Sequence, residues 1–312
     1  MKFHLDFSFE SEFKCKESDS FFLIGSCFSE NISRYFRSHY FHFASNPFGI
    51  LFDPHSIQRT LSIILKNKQI ESEELVKNEG IWYSPYHHGS FSSQQQDHLL
   101  LKINEVVREA NIKLKKSNNL IITLGSAFAW KHLKSDIIFA NCHKIPGKEF
   151  RKVFLNPQEI LLKWKPLIEN IQQFNPDINI ILSVSPVRYI RDGLTENNKS
   201  KASLLTVVHE LCELKGVTYF PAYEILIDVL RDYRFYKEDM VHPNEQSVKY
   251  VWEIFKKAYF QQKAIEVIDE IETFSEFALH RPIKNTDQHH QAVHKKFLEI
   301  KQKYPFMNWD LL

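Results

Sequence analysis

Short apolar runs that end at a glycine or a proline constrain the fold of this chain more than any other feature. Glycine is scarce, with 8 residues in 312 against a typical frequency of about 7%. We therefore expect each glycine to lie where the backbone conformation requires it. Gly25 and Gly125 both follow apolar runs, and such runs are typical of buried strands that end at a turn. The sequence therefore predicts strands at residues 21–24, 120–124, 178–184 and 217–220.

Amphipathic stretches separate these strands. Asp53 and Asn156 each precede a proline, which is a typical pairing of a helix N-cap with the first helical position. Apolar residues at three- and four-residue spacing predict helices at residues 99–116, 161–173, 201–215 and 248–264, and shorter strands are expected at 81–83 and 137–140. Strands that alternate with helices indicate an α/β fold, a three-layer α/β/α sandwich with a mostly parallel sheet.

The strand patterns stop after about residue 261. Two further helical patterns, at residues 265–277 and 291–303, lead to an aromatic tail at 304–309. We therefore expect an α/β domain at residues 1–260 and a helical C-terminal extension, residues 261–312, that packs on it.

The net charge and the apolar content of the chain limit the classes of molecule that it could bind. The chain has 40 Lys and Arg residues against 38 Asp and Glu residues, far from the excess that nucleic-acid binding needs. It has no apolar run long enough to span a membrane and no signal-peptide pattern at residues 1–6, so we expect a cytoplasmic location and no membrane partner. The four cysteines form no C-x-x-C pair, so free thiols and no cofactor are expected.

The first predicted strand leads into Gly25, Ser26 and Cys27, directly before an amphipathic stretch. Ligands of open α/β sheets bind beyond the carboxyl ends of the strands, where this turn is expected to lie. A thiol at a helix N-terminus has a lowered pKa, so either Cys27 or the neighbouring Ser26 is a candidate nucleophile. In the alternative interpretation, Gly25 and Ser26 only turn the chain and Cys27 is a small packed side chain.

Asp239 lies three residues before His242, and a helical pattern follows. In a loop, this spacing lets the carboxylate accept a hydrogen bond from imidazole Nδ1, which leaves Nε2 free to act as a general base. The alternative is an ordinary aspartate turn beside a histidine. The order of a nucleophile near the first strand and Asp-x-x-His before a late helix favours the catalytic interpretation.

These motifs resemble the GSCFA family, whose name spells the motif found here at residues 25–28 and which is a distant relative of the SGNH/GDSL hydrolases. The similarity runs from the first strand to about residue 260. It includes the segments 46–50, 141–144, 186–188, 233–236 and 239–243.

The resemblance implies roles for individual residues. Cys27 occupies the position of the serine nucleophile of the related hydrolases, and Asp239 and His242 match their Asp-x-x-His motif. Gly49 best matches the glycine whose amide lines their oxyanion hole. Their oxyanion asparagine would fall at residues 125–128, which read Gly-Ser-Ala-Phe. Loss of one oxyanion donor can cost about 2.7 to 4 kcal/mol, so we expect another polar group to replace it.

Several residues are candidates for oxyanion or substrate binding. Asn141 is the first candidate for the missing donor, and His143 lies in the same segment; the alternative is a capped turn. Arg188 follows a strand, and it or Arg191 can bind a carboxylate or phosphate, although a solvated arginine is equally consistent with the pattern. His88 lies near a Gly-Ser turn and is placed in the cleft.

Histidines in the C-terminal part invite a metal interpretation, but no H-E-x-x-H motif is present, and no metal site is predicted. The residues concerned are His289, His290 and His294, together with the neighbouring Asp287.

The sequence thus predicts a hydrolase or acyltransferase that acts on an acyl ester through a covalent acyl-enzyme. The triad would consist of Cys27 or Ser26 with His242 and Asp239. A small acylated molecule, such as an acylated sugar, is suggested as substrate by analogy of fold alone. The alternative is a non-catalytic module that binds a ligand or a partner in the same cleft.

Overall fold

The computed structural model describes residues 7–280 and 286–311. Strands alternate with helices along most of this part of the chain. The strands are β1 (Ser20–Gly25), β2 (His42–Ser45), β3 (Val76–Asn78), β4 (Ile81–Tyr83), β5 (Ser92–Ser93), β6 (Asn119–Leu124), β7 (Phe128–His132), β8 (Ile138–Phe139), β9 (Phe150–Phe154), β10 (Asn179–Val184) and β11 (Val217–Phe220).

The helices begin close to the predicted caps. Asp53 accepts a hydrogen bond from the backbone N–H of Ser56 at 2.8 Å, and Asn156 caps its helix in the same way. The helices are α1 (Cys27–Ser38), α2 (Pro54–Leu65), α3 (Gln96–Lys116), α4 (Pro157–Phe174), α5 (Leu194–Leu211), α6 (Ala222–Glu224, continued by the π-helical turn Ile225–Leu230), α7 (Glu245–Tyr259), α8 (Gln262–Leu279) and α9 (Thr286–Lys303).

The central sheet has five parallel strands in the order β11-β10-β6-β1-β2. All four predicted main strands belong to it. β2 was not predicted, because this short edge strand carries no continuous apolar run. The predicted strands at 81–83 and 137–140 fall instead in two small antiparallel sheets, β3-β4-β5 and β8-β7-β9.

Helices cover both faces of the central sheet. Phe22 and Ile24 face a core formed with α2, α3, α4 and α5, whereas Phe21 and Leu23 face a core formed with α1, α7 and α8. Burial on both faces explains why the parallel strands read as continuous apolar runs. This arrangement confirms the predicted three-layer α/β/α architecture.

The predicted helix at 248–264 is two helices with a break at Phe260 and Gln261. At this break the chain bonds to the backbone of Cys15, whose carbonyl accepts a hydrogen bond from the Gln261 N–H at 2.9 Å. Ile271 of α8, Ile300 of α9 and Trp309 enter the same core as α1 and α7. Within the described residues, no helix is both long and apolar enough to cross a membrane.

The order of the parallel strands reverses at β1. The chain passes from β1 to β2 on one side and later to β6 on the other. A crevice forms where the connections of neighbouring parallel strands diverge in this way, and ligands of open α/β sheets bind there. The residues that follow β1 and β6 therefore lie at the edge where a site is expected.

Candidate active site

The turn that carries Cys27 is fixed by contacts with neighbouring strands. Gly25 has φ +143°, and a Cβ atom at this position would lie 2.2 Å from the carbonyl oxygen of Thr123. The Gly25 N–H donates to Asn46 Oδ1 at 2.8 Å, and the Ser26 N–H donates to the Thr123 carbonyl at 3.1 Å. These contacts end β1 abruptly and begin α1 at Cys27.

Ser26 is fully buried and serves as the N-cap of α1. Its Oγ accepts a hydrogen bond from the backbone N–H of Phe28 at 3.3 Å. This contact directs the hydroxyl to the helix backbone, whereas Cys27 is only partly buried and lines a cleft.

The cleft lies at the carboxyl ends of the parallel strands and has a volume of about 400 Å³. Cys27 follows β1, Ser126 follows β6 and Arg188 follows β10, so three successive strand ends contribute to it. His242 comes from the loop before α7 and lines the same cleft. Aromatic side chains form much of its wall, namely Phe52, Phe128, Trp130 and Tyr189.

His242 is held by the aspartate three residues before it. Its Nδ1–H donates to Asp239 Oδ2 at 2.7 Å, while Asp239 Oδ1 accepts the backbone N–H groups of Val241 and His242, each at 2.9 Å. These hydrogen bonds, the backbone one from His242 first, lower the pKa of Asp239 to about 2. Nε2 makes no hydrogen bond to any described residue and stays available as a proton acceptor.

The predicted triad implies a hydrogen bond between Cys27 and His242, but none joins these two side chains among the residues that the structure describes. The expectation of a lowered thiol pKa is wrong, because burial raises the pKa of Cys27 above its usual value. Lys201, the N–H groups at the start of α1, and Lys237 act in the opposite direction but do not offset burial. The resting side chain is therefore a thiol at neutral pH.

Lys201 lies in the protein interior behind the cleft and is only 1% exposed. Its ammonium donates to the carbonyl of Gly125 at 2.6 Å and to that of Ser185 at 2.7 Å, the residues that follow β6 and β10. Burial lowers the pKa of Lys201 to about 7, and the field of Cys27 raises it. The sequence did contain a signal for it, since Lys201 lies on the apolar stripe of α5 with Leu204 and Val208.

The hydroxyl of Tyr189 lies beside Gly125, the first residue of the segment 125–128 that lacks the expected asparagine. A Cβ atom on Gly125 would lie 2.6 Å from the Tyr189 hydroxyl and 2.8 Å from the Cβ of Phe52. Burial raises the pKa of Tyr189, with Cys27 acting in the same direction, so the phenol keeps its proton as a donor. This residue was not predicted from the sequence.

The role predicted for Gly49 is wrong. Its N–H donates to the carbonyl of Asn46 at 2.7 Å and so closes a turn instead of facing the cleft. The backbone needs glycine here for two reasons: φ is +81°, and an added Cβ would lie 2.3 Å from the Cβ of His88.

His88, Asn141 and His143, the other candidates for oxyanion or substrate binding, are not among the residues that line the Cys27 cleft. Asn141 Oδ1 accepts the backbone N–H of His143 at 2.9 Å, which is the capped turn named above as the alternative. His143 is buried against the ring of Tyr83, and burial lowers its pKa to about 4. His88 packs on Gly49, and its Nδ1 lies 3.1 Å from Ser90 Oγ.

The C-terminal histidines do not assemble a metal site within residues 286–311. No three His, Cys, Asp or Glu side chains of the described part come together in a geometry that could hold a metal ion. His289 instead packs against the ring of Phe277, with 5.1 Å between ring centroids.

Comparisons with known proteins give distant structural similarities and one family. The carbohydrate esterase family 3 protein of Talaromyces cellulolyticus has a TM-score of 0.37 and 10% identity over 81% of this chain and 99% of its own. The family 3 carbohydrate esterase of Clostridium thermocellum has a TM-score of 0.34 and 11% identity over 82% of this chain and 98% of its own. No curated protein matches significantly. The GSCFA family model matches residues 20–255, which include Cys27 and His242, and the chain therefore belongs to the GSCFA family.

Proposed function

We propose that this protein is a hydrolase or acyltransferase that cleaves an acyl ester through a thioester on Cys27. One observation carries the proposal. A thiol at a strand-to-helix turn and a histidine already oriented by a carboxylate line the same cleft, at the carboxyl edge of a parallel sheet.

The chemistry divides into two acyl transfers. Cys27 Sγ attacks the acyl carbon while His242 Nε2 accepts the thiol proton, and the tetrahedral intermediate then expels the alcohol, which takes that proton from His242. In the second half, His242 removes a proton from water or from an acceptor alcohol. That oxygen attacks the thioester, and the released thiol recovers the proton.

Because the pKa of Cys27 is raised, attack by its sulfur needs a general base, and we assign that role to His242. Because the thiol is protonated at neutral pH, the proton must leave as the sulfur attacks. Asp239 stabilises the imidazolium that forms and keeps Nε2 directed away from the loop. In catalytic sites a hydrogen bond between nucleophile and base often forms only with substrate bound, which is consistent with its absence among the described contacts.

Two donors near Gly125 and Cys27 are suited to the oxyanion. The N–H of Cys27 lies at the first turn of α1, where helical N–H groups lack partners within the helix. The Tyr189 hydroxyl, beside Gly125, replaces the missing asparagine amide. We assign these two groups the role that was predicted for Gly49 and Asn141.

A binding module without catalysis is the second candidate. It is favoured by the absent hydrogen bond between Cys27 and His242 and by the absence of the asparagine at residues 125–128. The two candidates differ in whether the acyl group is ever transferred to sulfur.

The test uses 4-nitrophenyl esters with acyl chains from acetyl to hexanoyl, with intact-protein mass spectrometry of the acyl-enzyme. We expect Cys27→Ala and His242→Ala to lower turnover by about a thousandfold or more, and the wild-type protein to gain the mass of one acyl group at Cys27. Cys212→Ala, which removes a thiol at the end of α5, is the matched control and should keep full activity. Ester binding without turnover, or activity that survives in Cys27→Ala, would refute the proposal.

A further inference from the structure

Arg188 has an unusual environment for a half-buried cation. Its guanidinium carbon lies 4.4 Å from the ring centroid of Tyr236 and 5.2 Å from that of Tyr233. Its own backbone N–H donates to the carbonyl of Val241 at 3.4 Å, which joins it to the loop of His242. Aromatic faces hold the position of a guanidinium, but they leave the N–H groups along its edge free for an acceptor.

No carboxylate among the described side chains pairs with Arg188. Two carboxylates of the adjoining loop are already bound: Asp232 accepts from Arg234 at 3.1 Å, and Asp239 accepts from His242. A guanidinium that is partly withdrawn from water and lacks an anionic partner is suited to bind one from solution.

Among the described residues that line the cleft, the side chains that carry a permanent charge are all basic. Arg188 and Arg191 both line it, and the residues of its wall that the structure describes include no aspartate or glutamate. Phe52 and Trp130 form apolar parts of the wall, and such surfaces strengthen a charge interaction by lowering the local dielectric constant.

We propose that the substrate carries an oxyanion, a carboxylate or a phosphate, in addition to the ester, and that Arg188 binds this group while Cys27 attacks the acyl carbon. Arg191 stands at the rim as a second cation. The proposal names the substrate class of the site described above and so rests on the proposed function for the ester. The anion preference, however, can be measured without turnover.

Alkylation of Cys27 provides that measurement. Iodoacetate and iodoacetamide both form a thioether by displacing iodide from carbon with the thiolate, and they differ in that only the first is an anion. Rates at Cys27 are followed at about pH 8 by peptide mass spectrometry and divided by the rates of free cysteine, which removes the intrinsic difference between the two reagents.

We expect the wild-type protein to prefer iodoacetate by about tenfold on this scale, and Arg188→Met to lose that preference while its iodoacetamide rate stays within about twofold. Arg188→Lys should retain part of the preference, because it keeps the charge but not the planar fork. Arg108→Met is the matched control, since Arg108 is exposed on α3 and pairs with Glu105. An equal ratio in wild type and Arg188→Met would overturn the proposal, as would an equal fall in both rates.

Two further experiments identify the class of anion and distinguish the anion-site proposal from the proposed esterase function. Sodium acetate and sodium phosphate, at equal ionic strength, are compared as protectants of Cys27 against iodoacetamide, and the better protectant identifies the class of oxyanion. 4-Nitrophenyl acetate is then compared with mono(4-nitrophenyl) succinate, for which Arg188→Met should raise KM about tenfold for the succinate alone. If neither ester is cleaved but iodoacetate is preferred, the anion site stands and the esterase function fails.

Discussion

The two sides of the cleft are built in opposite ways. The Cys27 side is buried, and its contacts join residues far apart in sequence, such as Gly25 with Thr123 and Lys201 with Gly125. The His242 side is exposed, and the hydrogen bonds that orient His242 join residues within one short loop, from Lys237 to His242.

The difference assigns separate tasks to the two sides. A nucleophile that must meet an oxyanion hole is fixed best by the sheet itself, because several strands determine its place. A base that exchanges protons with solvent-borne groups needs access to water, and a carboxylate three residues away suffices to orient it. We therefore expect substitutions that break the hydrogen bonds of the loop to affect turnover, and substitutions that break the backbone contacts of the turn, as at Gly25, to affect folding.

The largest effect is expected in the loop, for Asp239→Asn. The amide cannot stabilise the imidazolium and favours the wrong tautomer of His242, so turnover should fall by about a thousandfold. The melting temperature should change little, since both side chains are exposed. Steady-state kinetics and thermal unfolding measure the two quantities.

Asp232→Asn is the control for this substitution, because Asp232 is an exposed aspartate of the same region that pairs with Arg234. It should keep its turnover. Unchanged turnover in Asp239→Asn would remove the carboxylate from the mechanism, and a large loss of stability would show that the loop is not locally built.

The same contrast explains what the sequence could predict. The Asp-x-x-His spacing determines the contact between Asp239 and His242 within four residues, so the pair could be identified from sequence. The position of Cys27 was predicted from the apolar run that ends at Gly25. Its pKa was not, because both the burial of the thiol and the opposing effect of Lys201 come from parts of the chain that are distant in sequence.

Gly49 and Asn141 failed for a related reason. Gly49 was assigned by matching a motif and Asn141 as a candidate for the missing donor, but the direction of a backbone N–H or a side-chain amide depends on the local turn. The Gly49 N–H closes its own turn with Asn46, and the Asn141 side chain caps the turn before His143. Tyr189 was missed because its approach to Gly125 joins two loops that follow different strands.

The second effect is expected at the turn, for Gly25→Ala. The added Cβ would lie 2.2 Å from the backbone oxygen of Thr123, at a φ that side chains rarely adopt. Because backbone atoms of β6 cannot move aside as a flexible side chain would, we expect a loss of about 3 kcal/mol in the free energy of unfolding.

Gly80→Ala is the matched control, since Gly80 has φ +80° but nothing within 4 Å of the added Cβ. It should cost about 1 kcal/mol, the part that comes from backbone conformation alone. Urea unfolding of both variants measures the difference. Equal losses would mean that the turn is not held by its contact with β6.

The smallest effect concerns the pH dependence that Lys201 gives to the Cys27 side. Folding lowers the pKa of this lysine from 10.5 to about 7, so between these values the unfolded chain binds one proton more than the folded chain. The contribution of Lys201 to stability must therefore rise with pH across this window, by at most about 1.4 kcal/mol per pH unit.

Lys201→Met removes this dependence together with the hydrogen bonds to the Gly125 and Ser185 carbonyls. The unfolding free energy of the wild type minus that of Lys201→Met should thus increase by about 1 to 2 kcal/mol between about pH 7 and pH 8.5. Subtraction cancels the titration of groups that both proteins share. Lys199→Met, an exposed lysine on the same helix, should show no such increase. If the difference in unfolding free energy between wild type and Lys201→Met stays constant with pH, the ammonium is charged throughout and burial of Lys201 costs little. The two sides of the cleft would then differ less in their electrostatics than their exposure indicates.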